Sequence, residues 1–153
     1  MMHTWFESKI RYDKVMENGV NKKVTEPYLF DALSFTEAEA RTIEELHPFI
    51  SGEFTITNIN RASYSEFFPS ETGDRYFKCR LAFITVDEKS AKEKKTRTNV
   101  LVQADNLQEA KDRLVEGMKG TMADYVIEMV KETDIMDVYP YSSEPEKGEN
   151  KES

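Results

Sequence analysis

The chain has 153 residues, enough to bury one core of ordinary size without disulfide or metal staples. Its net charge of −8 argues against an indiscriminate grip on nucleic acid, because phosphate contacts need positive charge at the interface. A single cysteine excludes an internal disulfide framework, and no apolar stretch is long enough to span a bilayer, so the reducing cytoplasm is the expected setting and no membrane partner is expected.

Met1-Met2-His3-Thr4-Trp5 leads directly into alternating polar and apolar residues, without the apolar region of an export signal. Residues 5–15 place Phe6, Ser8, Ile10 and Tyr12 on one side and Trp5, Glu7, Lys9 and Arg11 on the other. That is the pattern of a half-buried strand. Glu17-Asn18-Gly19 marks a hairpin, since Asn and Gly tolerate the positive φ of tight primed turns. The returning strand, about 22–32, carries Val24, Tyr28 and Phe30 on one face and Leu29 on the other. Pro27 within it removes a backbone donor, which predicts a free edge or a bulge at that point.

Ser34-Phe35-Thr36-Glu37 matches a capping box, in which the serine oxygen accepts a first-turn amide and the glutamate reaches back to the serine amide. A helix therefore starts at Phe35, with Phe35, Ala38, Thr42 or Ile43, and Leu46 as its apolar stripe, and stops before Pro48. From Glu53 to Phe68 the chain is rich in β-branched and aromatic residues, so a long strand is expected, ended by Pro69.

The same order then recurs. Sliding the sequence along itself by 71 residues sets Trp5-Phe6 against Tyr76-Phe77 and Glu66-Phe67-Phe68-Pro69 against Asp137-Val138-Tyr139-Pro140; a shift of 72 in the middle pairs Ser34-Phe35-Thr36-Glu37-Ala38 with Asn106-Leu107-Gln108-Glu109-Ala110. The second copy reads as strand 75–87, a Lys-rich hairpin tip at 88–95, strand 96–104, helix 106–118 ending near Gly117 or Gly120, and strand 124–139. Cys79, between strand residues, reads as a small core side chain. Residues 142–153 contain nothing apolar enough to offset ordering entropy, so a disordered acidic tail is expected there, removable without loss of stability.

Each copy is thus β-β-α-β, and the expected fold is α+β: an internally duplicated unit forming a mostly antiparallel sheet with two helices on one face, a single domain over 1–141 made of repeats 1–70 and 71–141.

Catalytic signatures are missing: no phosphate-binding glycine pattern, no G-x-S-x-G, no H-E-x-x-H and no paired C-x-x-C. With only His3 and His47, a histidine-centred triad or a zinc site lacks parts, and His47 beside Pro48 suits a helix C-terminus. Glu37 and Glu109 are accounted for by capping, and Glu44 and Glu116 fall on the solvent face, so neither a metal nor a cofactor is expected. The chain reads as non-enzymatic.

The outer face of the first strand in each copy is more informative. Residues 75–97 hold eight Lys or Arg against three Asp or Glu, a local balance of +5. Trp5, Lys9 and Arg11 in one copy and Tyr76, Lys78 and Arg80 in the other, with Lys94, Lys95 and Arg97 on the neighbouring strand, form a candidate binding face of aromatics and bases. Three accounts compete. It is a platform for single-stranded nucleic acid, with bases stacked on Trp5 and Tyr76 and phosphates on Lys and Arg; it is the contact of a homodimeric structural or protein-interaction module; or it is ordinary packing within the chain. The first is the leading expectation within a broader one, a non-catalytic binding module.

On the residues His3-Thr4-Trp5-Phe6-Glu7, Lys9-Ile10-Arg11-Tyr12 and Thr25 through Arg41, the chain resembles an uncharacterised family of short proteins from Bacteroidetes and their phages, over everything up to about Tyr141. The resemblance implies no activity and no catalytic residues; its phage members imply a nucleic-acid or phage-assembly setting.

Overall fold

The computed structural model describes residues 4–141, so the expected tail at 142–153 lies outside the described residues. The chain divides into two compact units. Unit 1 holds residues 4–62 together with 137–141, and unit 2 is Ser63–Met136.

In unit 1, β1 (Trp5–Val15) and β2 (Asn21–Asp31) form the expected hairpin. Gly19 takes φ +82° at its tip, and the Asn18 side chain accepts from the Val20 amide. Helix α1 (Phe35–Leu46) follows, then β3 (Phe54–Ala62) pairs antiparallel with β1 on its other side. The predicted side of β1 is the core side. Phe6, Ser8 and Ile10 are buried there against α1, which buries Ala38, Thr42 and Leu46, while Ile43 faces solvent. Phe35, half open to solvent, sets its ring edge-on to Phe6 at 4.9 Å between centroids.

Unit 2 repeats this with β5 (Arg75–Val86), β6 (Glu93–Ala104), α2 (Leu107–Gly117) and β7 (Asp124–Glu132). The agreement extends to irregularities. The β1–β3 register slips between Lys9 and Ile10, and the β5–β7 register slips between Arg80 and Leu81, the positions 71 residues on. Both capping boxes form: Ser34 Oγ accepts from the Glu37 amide at 3.1 Å and Asn106 Oδ1 from the Glu109 amide at 2.8 Å. In each box the glutamate accepts from the residue before the cap, Leu33 or Asp105, rather than from the cap amide.

The fold is α+β with duplicated β-β-α-β units, and its strands lie in two four-stranded sheets, each with its own helix. The two long strands expected at 53–68 and 124–139 are each broken. After Ala62 the chain leaves the first sheet, and β4 (Glu66–Phe68) pairs in parallel with β6 of unit 2. After Glu132 it leaves the second sheet, and β8 (Val138–Tyr139) pairs in parallel with β2 of unit 1. The sheet orders, β3-β1-β2-β8 and β7-β5-β6-β4, are therefore the same, but each repeat lends its last strand to the other's sheet. A β-rich composition says that a segment is extended. It does not say which edge the segment joins.

Pro27 illustrates what short exchanged strands permit. The Leu29 amide donates to Asp137 on the β8 side, so the position two residues earlier faces the same side. The β8 pairing covers only Leu29 and Phe30, and Pro27, which has no amide to offer, sits on the edge beyond them, as the sequence predicts.

Candidate binding surfaces

Register fixes where the nine candidate residues lie. Tyr76, Lys78 and Arg80 alternate along β5, and their β6 partners are Gln103, Leu101 and Asn99; farther along, Arg97 stands opposite Ala82 and Lys95 opposite Ile84. Tyr76, Lys78, Arg80, Lys95 and Arg97 therefore share one face of the unit 2 sheet, whereas Lys94, opposite Thr85, belongs to the other face. Lys94 and Lys95 are strand residues, because the turn is tighter than expected and closes at Asp87–Lys92. Trp5, Lys9 and Arg11 share the corresponding face of unit 1.

Burial separates the aromatics from the bases. Trp5 is 1% exposed and Tyr76 5%, so neither ring offers an open face for stacking. Tyr76 packs against Phe67 of β4 at 6.2 Å between ring centroids, and its carbonyl accepts from both the amide and the hydroxyl of Thr133. Within the chain, then, the two aromatics behave as core residues. Strand alternation alone could not reveal this, because Phe67 reaches Tyr76 only through the exchanged strand. Lys9 and Lys78 are half-buried, and Arg11, Arg80, Lys94, Lys95 and Arg97 are exposed. Arg97 grips Glu128, the residue skipped by the bulge, through Nε at 2.8 Å and Nη2 at 3.2 Å. That bidentate pair raises the arginine's pKa and lowers the glutamate's, and it ties down one cation of the face.

Two features on the helix side of the sheets carry no sequence motif. In unit 1, Glu26 is buried at an inward position of β2. Its Oε1 accepts from Tyr12 Oη at 2.7 Å and from Tyr28 Oη at 3.3 Å, and its Oε2 accepts from Lys14 Nζ at 3.1 Å. Burial, then the hydrogen bond to Glu26 and its charge, pushes Tyr12 up to about 12. Tyr28 is raised too, by burial first and then by the same carboxylate's charge. The signal was present in sequence: the alternation that turns Val24, Tyr28 and Phe30 inward also turns Glu26 inward.

The same region of unit 2 carries Phe83 for Tyr12, Thr98 for Glu26, Val100 for Tyr28 and Thr85 for Lys14. There the structure has an open cleft of about 320 Å³ walled by Phe68, Leu81, Phe83, Val100 and Met118, with Ser65, Glu66, Thr98 and Thr121 among its polar lining. Local chain geometry opens it. The loop after α1 turns at Gly52 (φ +87°), having first placed Ile50 in the core. The loop after α2 turns sooner, at Gly120 (φ +87°), and continues through Thr121 and Met122, the latter 97% exposed. At Gly117 an added Cβ would lie 2.9 Å from the Phe68 ring, so glycine there lets β4 approach the helix closely.

Cys79 is buried, its thiol pushed up to about 11 by that burial, as expected of a core cysteine. Among the described residues, no three His, Cys, Asp or Glu side chains gather to hold a metal ion, and no helix is long and apolar enough to cross a membrane.

A family model described as a domain of unknown function, DUF4494, matches residues 4–141. The chain belongs to this family. Comparison with curated proteins and with solved structures finds no match for it. The matched span runs through both units, so the family's domain takes in the duplication and the strand exchange together.

Proposed function

We propose that the protein is a non-catalytic interaction module that binds a partner protein, with the unit 2 cleft as its point of contact. One observation carries this reading: at equivalent positions unit 1 places two phenol rings, a carboxylate and an ammonium, whereas unit 2 leaves an open cleft with apolar walls. A cleft of that size lies at the small end of the range for ligand sites, suited to an anchoring side chain. Exposed Met122, Val126 and Val115 in the same unit add apolar surface of the kind interaction sites use.

Single-stranded nucleic acid on the outer sheet face is the competing reading. In its favour are Arg80 and Lys95, exposed on one face with Lys78. Against it, the two rings meant for stacking are buried and Arg97 is engaged by Glu128. A phage or Bacteroidetes setting and a cytoplasmic location remain part of the proposal and suit either partner.

Peptide display against the intact chain separates them. Enrichment of a common motif that disappears when Val100→Tyr fills the cleft supports the protein partner. No motif, together with saturable and salt-sensitive binding of a mixed-sequence oligonucleotide that weakens in Arg80→Ala, replaces it with the nucleic-acid reading.

A further inference from the structure

Unit 1 supplies a template for what the cleft receives. There the ring of Tyr28 lies 6.5 Å from that of Tyr139 between centroids, and Tyr12 and Tyr28 both pack on the core of Ile10, Phe30, Leu46 and Ile50. The carboxylate of Glu26 joins those rings to the ammonium of Lys14. Ring, carboxylate and ammonium are thus all provided by the chain itself.

Unit 2 keeps only part of that set. Phe68 of β4 stands where Tyr139 stands in unit 1, pairing with Val102 as Tyr139 pairs with Phe30. Val100 replaces the ring of Tyr28, and Thr85 replaces the ammonium of Lys14. A carboxylate is present, but it comes from Glu66, an exposed residue of β4 that lines the cleft and forms no ion pair among the described residues. The cleft walls hold two aromatic rings, Phe68 and Phe83, and the adaptable thioether of Met118, a lining that favours edge or offset contact with a further ring.

Resting on the reading of the cleft as a protein contact, we infer that the missing parts are brought by the partner: a peptide segment that inserts one aromatic side chain between Phe68, Phe83 and Met118 and sets an adjacent lysine or arginine on Glu66. The ring supplies the burial and the cation supplies the selectivity, since an exposed charge pair discriminates partners more than it adds affinity.

The test uses the full chain with four probes: capped Lys-Phe-Lys, Lys-Ala-Lys and Glu-Phe-Glu peptides, and free phenethylamine, followed by NMR of the Met118 and Val100 methyl groups and the Thr121 amide. Lys-Phe-Lys is expected to shift these signals saturably, Lys-Ala-Lys not at all, and Glu-Phe-Glu several-fold more weakly. In Glu66→Lys, an exposed substitution that leaves the fold alone, the preference between the two Phe peptides is expected to reverse. Equal response to Lys-Phe-Lys and Lys-Ala-Lys, or a charge preference unmoved by Glu66→Lys, overturns the inference. Phenethylamine binding as tightly as the peptide overturns the peptide as source, in favour of a free amine. A display motif that needs the cleft but lacks an aromatic beside a base would sink this inference alone, whereas no cleft-dependent peptide of any kind sinks the protein-contact reading with it.

Discussion

Units 1 and 2 share strand order, register, bulge position and helix caps, yet they fill their interiors differently. At the centre of unit 1 the Ser8 and Thr42 hydroxyls meet at 2.7 Å, and Thr42 gives its proton to the Ala38 carbonyl, so Ser8 must be the donor between them. The corresponding residues of unit 2 are Cys79 and Leu114, both buried and apolar in character. Asp31 of unit 1 accepts from the Thr4 and Tyr141 amides; its counterpart Gln103 accepts from the Ser70 amide and donates to the Gly73 carbonyl. What is held fixed between the two is backbone pairing. Side chains are free to change in compensating sets, and where a set was not completed, at Val100, Thr98 and Thr121, a cleft opened.

The exchanged strands are the sharpest place to break the symmetry. Ending the chain at Met136 removes β8 from unit 1 and leaves unit 2 whole. Tyr139 then no longer stacks on Phe30, a pair now 4.9 Å apart and 8° from parallel. Arg41, which donates to the Asp31, Tyr139 and Pro140 carbonyls, loses two of those three acceptors. Loss of a packed aromatic alone costs about 3 to 5 kcal/mol, so unit 1 should melt well before unit 2. Hydrogen exchange should show it, with Phe30 and Ile10 amides losing protection while those of Cys79 and Val102 keep it. Equal loss in both units would mean that they unfold as one.

Alkali should distinguish the units next. Tyr12 has its folded pKa raised to about 12 from an ordinary 10, with Tyr28 raised as well. The folded state therefore holds those protons where the unfolded chain has released them. Stability from this source is complete below pH 10 and is lost as the pH climbs through about 12. Unit 2 has Phe83 and Val100 at these positions, and its own alkaline loss comes instead from the buried Cys79 thiol, pushed up to about 11. Tyr12→Phe with Tyr28→Phe should flatten the decline between pH 10 and 12 in chemical denaturation; an unchanged slope would show that the phenols are not the source.

The hydroxyl pair should behave as a coupled unit. Thr42→Val leaves the Ser8 hydroxyl buried without its acceptor and should cost about 1 to 3 kcal/mol, while Ser8→Ala added to it should recover much of that, because losing both partners is cheaper than stranding one. Additive losses in urea midpoints would show that the two hydroxyls do not depend on each other.

These contrasts also mark how far sequence could be read. The strands, hairpins, caps and duplication were legible because each leaves a local signature: alternation in Phe6-Ser8-Ile10-Tyr12, Asn18-Gly19 at a turn, Ser or Asn three residues before Glu. The exchange of β4 and β8 was not, since a short run such as Glu66-Phe67-Phe68 pairs equally well with any open edge and its choice is made by tertiary packing. The burial of Tyr76 was hidden for the same cause: its outward register was legible, but outward does not mean exposed once Phe67 of β4 lies against the ring. Glu26 could have been found as a carboxylate in an inward register, whereas the cleft depends on where Gly120 turns the chain, a matter of backbone conformation that composition does not state.

The smallest effect tests whether the shared frame is shared in energy as well as in form. Ser34→Ala and Asn106→Ala each remove one acceptor for a first-turn amide, at 3.1 Å and 2.8 Å, while leaving the glutamate that accepts from the preceding residue at 2.6 Å in both. Ser and Asn rank alike as caps, so each substitution should cost about 1 kcal/mol, and the two denaturation midpoints should fall together. A clear inequality would be informative in direction. The helix whose cap matters less would be the one held mainly by its packing, and α1 is the candidate for that, because Arg41 on its flank also donates to the Tyr139 and Pro140 carbonyls, whereas the matching Arg113 of α2 has, among the described residues, an ion pair with Glu109 in its place.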